Sequence, residues 1–239
     1  MKDKEKAQTD RGRPLVHNLY ESPMNPEKIE SSSFAAIDTE AGEHNFSPEQ
    51  WIVVRRMIHT TADFALMKDV KFSNDAVESA LAALIKGCFI YVDSNMIRSG
   101  ISLQRLKAVR PDYSRERVIC HVADEDVARE AAKADLPRSL FAVRKARKLL
   151  DGGIAVFGNA PVALMELSRM IIEEDIRPSL VIGMPVGFVH VVESKEELKS
   201  LGVPYILLQG RRGGSPIAVS VLHSLCALAV DRRKEAEVG

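Results

Sequence analysis

Cysteine and aromatic residues are scarce. Only Cys88, Cys120 and Cys226 occur, tryptophan appears once, and aromatics make up 5% of 239 residues. The three cysteines lie far apart, with no CxxC and no His/Cys cluster between them. They therefore form neither a fully paired disulfide framework nor a zinc-ligand spacing. Each sits in an apolar stretch and is expected to be a reduced core thiol. Net charge is also missing, since 33 Lys+Arg cancel 33 Asp+Glu. That balance argues against a strongly basic nucleic-acid binder or an acidic solvating tail. The most apolar stretch, residues 179–192, is broken by Gly183, Pro185, Gly187 and His190. It falls short of the ~18 apolar residues of a membrane helix. The first residues alternate in charge and lack the apolar core of a secretion signal. The expectation is a cytoplasmic protein with no membrane or nucleic-acid partner. GxGxxG and GxxxxGK[ST] are absent as well, so the usual nucleotide fingerprints fail.

What is present is a composition able to build a core: 46% hydrophobic and 28% charged residues. Residues 1–26 are polar, carry Pro14, Pro23 and Pro26, and show no hydrophobic period. They read as a flexible arm, with residues 27–239 forming one domain. Ser47-Pro48-Glu49-Gln50 is a capping-box start for a helix reaching about residue 63. Ser73 is expected to cap an Ala/Leu-rich helix that ends at Gly87. Short apolar strands are expected at 88–92, 117–122, 154–157, 179–182 and 205–208. Helices are expected at 124–134, 137–150, 160–174, from a second capping box at Ser194 to 201, and at 215–230. No internal repeat or low-complexity tract interrupts them. Alternating strands and helices specify an α/β fold: a single domain with a mostly parallel sheet and helices on both faces.

In such sheets ligands bind beyond the carboxyl ends of the strands. Four strand ends carry glycine or polar residues: Asp93-Ser94-Asn95-Met96, Gly158-Asn159-Ala160-Pro161, Gly183-Met184-Pro185-Val186-Gly187 and Gly210-Arg211-Arg212-Gly213-Gly214-Ser215. The last joins converging backbone N–H groups, a following helix and two guanidinium groups, which suits carboxylates or phosphates. A purely structural turn would have the same composition. On the helix after Ser47, apolar Val53, Val54, Met57, Ile58 and Phe64 gather on one side. Arg55, Arg56, His59, Thr60 and Asp63 gather on the other, with His59 within reach of Arg56 and Asp63. A solvated helix face reads the same way; the functional reading is a proton-transferring histidine beside an anion-binding arginine. Arg138-Ser139 opens another helix, where a cation opposes the dipole and points instead to a ligand anion.

Between residues 26 and 229 the chain resembles the precorrin-8X methylmutase (cobalt-precorrin-8 methylmutase) family. The resemblance is carried in order by Ser33-Phe34, Arg56-Met57-Ile58-His59, Asp93 with Met96, Arg138-Ser139, and Gly158-Asn159-Ala160-Pro161 with Ala163-Leu164. It continues through Gly183-Met184-Pro185-Val186-Gly187-Phe188, Glu193-Ser194-Lys195 and Gly213-Gly214-Ser215. The resemblance implies an α/β homodimer that needs no redox cofactor or catalytic metal. The implied reaction moves a methyl group from C11 to C12 of a tetrapyrrole, precorrin-8X or cobalt-precorrin-8, giving hydrogenobyrinic or cobyrinic acid. The residue matching the family's proton donor or acceptor is His59, and those matching its substrate contacts are Ser33 and Arg56. Arg138, Ser139, Arg212, Gly213, Gly214 and Ser215 extend the expected grip on the substrate's many carboxylates. Asp93, Met96, Asn159 and Gly183 are further candidate pocket residues. Thr60-Thr61-Ala62-Asp63 after the histidine and a longer polar arm depart from relatives. A non-catalytic corrinoid-binding or channelling protein would use the same arginines and glycine turn. A generic α/β nucleotide or phosphate-sugar enzyme is supported by architecture alone.

Overall fold

The structure, a computed structural model, describes residues 15–73 and 75–238. It falls into two units, Met1–Glu43 and His44–Gly239. The first carries helices α1 (Val16–Glu21) and α2 (Pro26–Ala41). Asn25 caps α2 by accepting the Lys28 N–H, Pro26 takes its first turn, and Gly42 closes it at φ 65°. Most of the polar arm expected at 1–26, residues 1–14, lies outside the described residues.

The second unit holds the whole sheet. Helix α3 (Pro48–Thr61) starts as expected: Gln50 N–H donates to the Ser47 hydroxyl while Ser47 N–H donates to the Gln50 side chain. The chain then runs β1 (Val70–Phe72), α4 (Ala76–Lys86), β2 (Ile90–Val92), α5 (Asn95–Gly100), α6 (Leu103–Val109) and β3 (Val118–Ile119). It continues α7 (Glu125–Ala134), α8 (Arg138–Lys145), α9 (Arg147–Leu150), β4 (Ile154–Phe157), α10 (Pro161–Glu174), β5 (Leu180–Gly183), α11 (Val191–Lys199), β6 (Tyr205–Leu208) and α12 (Ser215–Val238).

Strand order is β1-β6-β5-β4-β2-β3; every neighbour pair is parallel except β1 with β6. Strands β4 and β5 are buried along their full lengths, as strands covered on both faces must be. Tyr91, Ala155, Phe157, Val181 and Leu207 point to one face and pack with Val143, Leu150, Leu164, Leu167 and Leu198 of the helices there. On the other face lies α12, whose Ala218, Val221, Leu222, Leu225 and Ala229 are fully buried at helical spacing. Helix α3 packs along α12 rather than on the sheet. The strand order reverses at β2, which has β3 on one side and β4 on the other. Right-handed crossovers running in opposite directions therefore put helices on both faces, and they open a crevice beyond the ends of β2 and β4.

Several expected boundaries move. Ser73 does not cap α4: its backbone and hydroxyl bond Tyr205 of the neighbouring strand, and Asp75 precedes the helix. The helix expected over 137–150 splits at Ala146 into α8 and α9. The strand expected at 117–122 keeps only β3. The second capping box does not form: α11 begins at Val191, after His190 at φ 57°. The Ser194 hydroxyl donates within that helix to Val191 O. Elements α1, α2, β1, α5 and α6 have no counterpart in the expected set, α1 falling within the stretch read as a flexible arm.

His223, on α12, accepts the Ser102 N–H at 3.0 Å through Nε2, which requires a neutral ring. Burial first, then the charges of Arg105 and Arg56, push its pKa from 6.5 down to about 4. The folded state thus refuses a proton that the unfolded chain accepts between these values. Its stabilising share is complete above pH 6.5 and is lost as pH falls through 4, up to about 3 kcal/mol. Urea melts from pH 7.5 to 4 are expected to show a flatter pH dependence in His223→Gln, which keeps an acceptor without the titration. Equal slopes in both proteins would contradict this.

Candidate functional site

The four strand-end loops converge at the carboxyl edge of the sheet. Asp93, directly after β2, is 1% exposed. Its Oδ2 accepts the N–H groups of Gly158, Asn159 and Ala160 at 3.1, 2.8 and 2.7 Å. Burial pushes its carboxyl up against the opposing pull of those three donors. Its Oδ1 is buried and has no partner. Asp93 thus ties the end of β2 to the start of α10 at the point where strand order reverses. Gly158 lets the next loop come close, since a Cβ there would lie 3.0 Å from the backbone of Ser215. The hydroxyls of Ser94 and Ser215 meet at 3.3 Å. Gly213 is held tighter: a Cβ would sit 2.2 Å from Met184 O. Gly214 N–H donates to Met184 O at 2.8 Å, and Gly187 N–H donates to Arg211 O at 3.2 Å.

A cleft of about 270 Å³ opens here, lined by Thr61, Asp63, Leu66, Val186, Leu208, Arg212, Gly213 and Ile217. Arg212 is clamped by carboxylates, with one terminal nitrogen on Asp63 and the other on Asp69. Asp63 reaches it because α3 ends at Thr61. Ala62 adopts a left-handed conformation at φ 53°, and Asp63 turns away to cap the next short helix through Ala65 N–H. The helical spacing that places Asp63 below His59 therefore does not apply. His59 stands in the last turn of α3, exposed, and Arg56 precedes it by one turn. Neither lines the cleft. Val53, Val54, Met57 and Ile58 are buried as expected, leaving His59 on the outward side.

The other expected residues spread further. Ser33 belongs to the first unit, where its hydroxyl donates to Ile29 O at 2.8 Å. Arg138 lines a separate hollow of about 430 Å³ with Leu136 and Asp135, sharing no residue with the cleft. Ser139 is half-buried next to it, while Met96 (69% exposed) and Asn159 are on the surface. Gly183 is not a pocket residue: the direction of its missing Cβ is filled by Leu198 and Leu207, so it faces the core. Burial pushes the Cys88 thiol up to about 11 and the Cys226 thiol to about 12, so neither is a thiolate nucleophile at neutral pH.

Two residues received no role from the sequence, although Lys195 stands in the Glu193-Ser194-Lys195 motif of the resemblance. Asp69 completes the Arg212 clamp. Lys195 is fully buried, its Nζ donating to the carbonyls of Gly210 and Arg212 at 2.9 and 2.8 Å. A signal existed: Val191, Ser194, Lys195 and Leu198 are the buried residues of α11 and follow helical spacing. A lysine four residues after one core valine and three before a core leucine stands in the apolar row. As built, the edge can bind an anion through loop N–H groups.

Comparison with known proteins shows the family. The family described as precorrin-8X methylmutase (CbiC) matches residues 28–228. The cobalt-precorrin-8 methylmutase of Leptospira interrogans serogroup Icterohaemorrhagiae serovar Lai is 44% identical over 212 residues, covering 85% of this chain and 94% of its own. The precorrin-8X methylmutase of Pseudomonas aeruginosa is 37% identical over 199 residues, covering 82% and 93%. A crystal structure of precorrin-8X methyl mutase from Thermus thermophilus superposes with a TM-score of 0.76 at 43% identity, covering 85% of this chain and 98% of that one.

Removing the Asp93 carboxylate orphans three loop N–H groups. Asp93→Ala is therefore expected to lose about 3–5 kcal/mol in denaturant unfolding, and Asp93→Asn, which keeps an acceptor, about half of that. A loss below about 1 kcal/mol in Asp93→Ala would mean that the loop orders itself.

Proposed function

Because this chain belongs to the precorrin-8X methylmutase family and is thereby a methyl-shift isomerase of cobalamin biosynthesis, we propose that His59 exchanges the proton that assists the shift. The substrate is the tetrapyrrole precorrin-8X or cobalt-precorrin-8, any cobalt travelling as part of it, and the methyl group moves from C11 to C12. A methyl shift around a conjugated ring asks little covalent work of the protein. Protonating the macrocycle lowers the barrier, and the more conjugated product draws the reaction forward. An imidazole suits that task because its ordinary pKa of about 6.5 lets it give and take a proton at neutral pH.

The observation that carries this reading is the end of α3. Its last residue, Thr61, with Asp63 beyond it, lies on one wall of a cleft that the Arg212–Gly213 turn also lines. A tetrapyrrole overfills a space of about 270 Å³. Part of the ring then extends beyond the cleft, past Thr61 at the end of the helix whose exposed last turn carries His59. Substrate carboxylates fall to Arg56, to the Gly213-Gly214-Ser215 turn with Arg212 as its fixed wall, and to Arg138 and Ser139 as the macrocycle's outer contacts, while Ser33 is assigned to the substrate by the family resemblance alone. Asp93 and Asn159 frame the crevice, and Met96 is an apolar contact at its edge.

The homodimer and the cytoplasmic location belong to this proposal. No helix among the described residues is long and apolar enough to cross a membrane. The apolar residues of α12 cannot support a dimer, because the chain's own core uses them. Support comes instead from Phe188, 84% exposed, and Val189 in the β5–α11 loop. Sedimentation is expected to give twice the chain mass of 26.4 kDa, and a monomer would remove the dimer from the proposal.

Mixing the protein with precursor and following absorption in time is expected to show conversion to product. His59→Ala is expected to bind the coloured product as wild type does while losing about 10²–10⁴-fold in kcat. Normal turnover by that variant would take His59 out of the mechanism.

A further inference from the structure

Lys195 is a buried cation, and it has no carboxylate partner among the described residues. Burial pushes its pKa down to about 8, so it remains an ammonium at neutral pH. Folding accepts that cost behind the turn from Gly210 to Gly214. Its Nζ draws the carbonyls of Gly210 and Arg212 inward. All peptide bonds are trans, so the N–H attached to each of these carbonyls points the opposite way, away from the lysine. Those N–H groups are of Arg211 and Gly213, and neither has an acceptor among the described residues. The turn is rigid from the other side too, since Gly213 abuts Met184 O and Gly214 N–H is bonded to it. Arg212 offers little free charge of its own: two aspartates hold its guanidinium. The attraction for an anion at this wall therefore comes from aligned peptide dipoles, with the ammonium behind them.

We propose that Lys195 is a positioning residue for the methyl shift: by tethering the carbonyls of Gly210 and Arg212 it turns the Arg211 and Gly213 N–H groups outward along the wall of the cleft that Arg212 and Gly213 line, where they hold one side-chain carboxylate of the tetrapyrrole. This rests on the tetrapyrrole reading of the cleft given above. Lys195 touches no reacting atom, so its loss weakens binding rather than the chemical step.

Titration of ¹⁵N-labelled protein with hydrogenobyrinic acid is expected to move the Arg211 and Gly213 amide proton signals downfield. In Lys195→Met, KM and the product Kd are expected to rise at least tenfold, with kcat within threefold of wild type. Lys195→Gln, which can still donate to a carbonyl, is expected to recover part of the affinity. Both amide shifts are expected to persist in His59→Ala, so loss of proton transfer and loss of this contact read out separately. An unchanged KM in folded Lys195→Met overturns the assignment, as does a fall in kcat alone. If that variant does not fold, the wild-type titration decides, and silent amides at Arg211 and Gly213 overturn it equally.

Discussion

Two buried ionisable side chains of opposite type, each held by main chain instead of by a counter-ion, organise the carboxyl edge of this sheet. Asp93 gathers three N–H groups at the start of α10, and Lys195 gathers two carbonyls ahead of α12. A parallel sheet leaves such groups unpaired where its strands end, and burying them without partners is costly. A carboxylate can accept several donors and an ammonium can serve several acceptors. One side chain of each kind therefore closes a loop that no ladder can reach. The other contacts of the edge, from Ser94 on Ser215 to Gly213 against Met184, depend on the loop positions these two set.

The arrangement divides labour between charge and dipole. Arg212 reads from sequence as a free anion receptor. In the fold it is a structural tie between the end of α3 and the turn before α12, with Asp63 and Asp69 as its anchors. A clamp with two carboxylates and one guanidinium carries no surplus positive charge, and Lys195 restores the balance from beneath. His59 stands on the exposed last turn of α3. That helix joins the tie by ending in a left-handed residue, Ala62, which turns Asp63 towards Arg212.

The legible parts of the fold were those with local causes. Ser47 and Gln50 cap α3 in any context that leaves them exposed, and the runs at 154–157 and 205–208 are long enough in branched and apolar residues to read as buried strands. Elements whose cause is a distant partner were not legible. β1 is three residues long, with a lysine at its centre, and exists because β6 offers an antiparallel edge. Helices α5 and α6 are too short for a hydrophobic period, although Ser94 and Ser102 cap them. Ser73 and Ser194 have the right type for a cap, but Ser73 bonds a neighbouring strand and Ser194 a preceding helical turn.

The amino-acid order alone settled the α/β class, the four loops that meet at one end of the sheet, and the family resemblance, because periodicity, caps and motifs are properties of neighbouring residues. The three-dimensional structure alone decided which charges are spent within the protein and which face outward. Asp63 and Asp69 come to Arg212 from about 140–150 residues away in sequence, and Lys195 crosses to the Gly210 turn. No local pattern encodes such pairings, since their energy depends on what else has been buried around them.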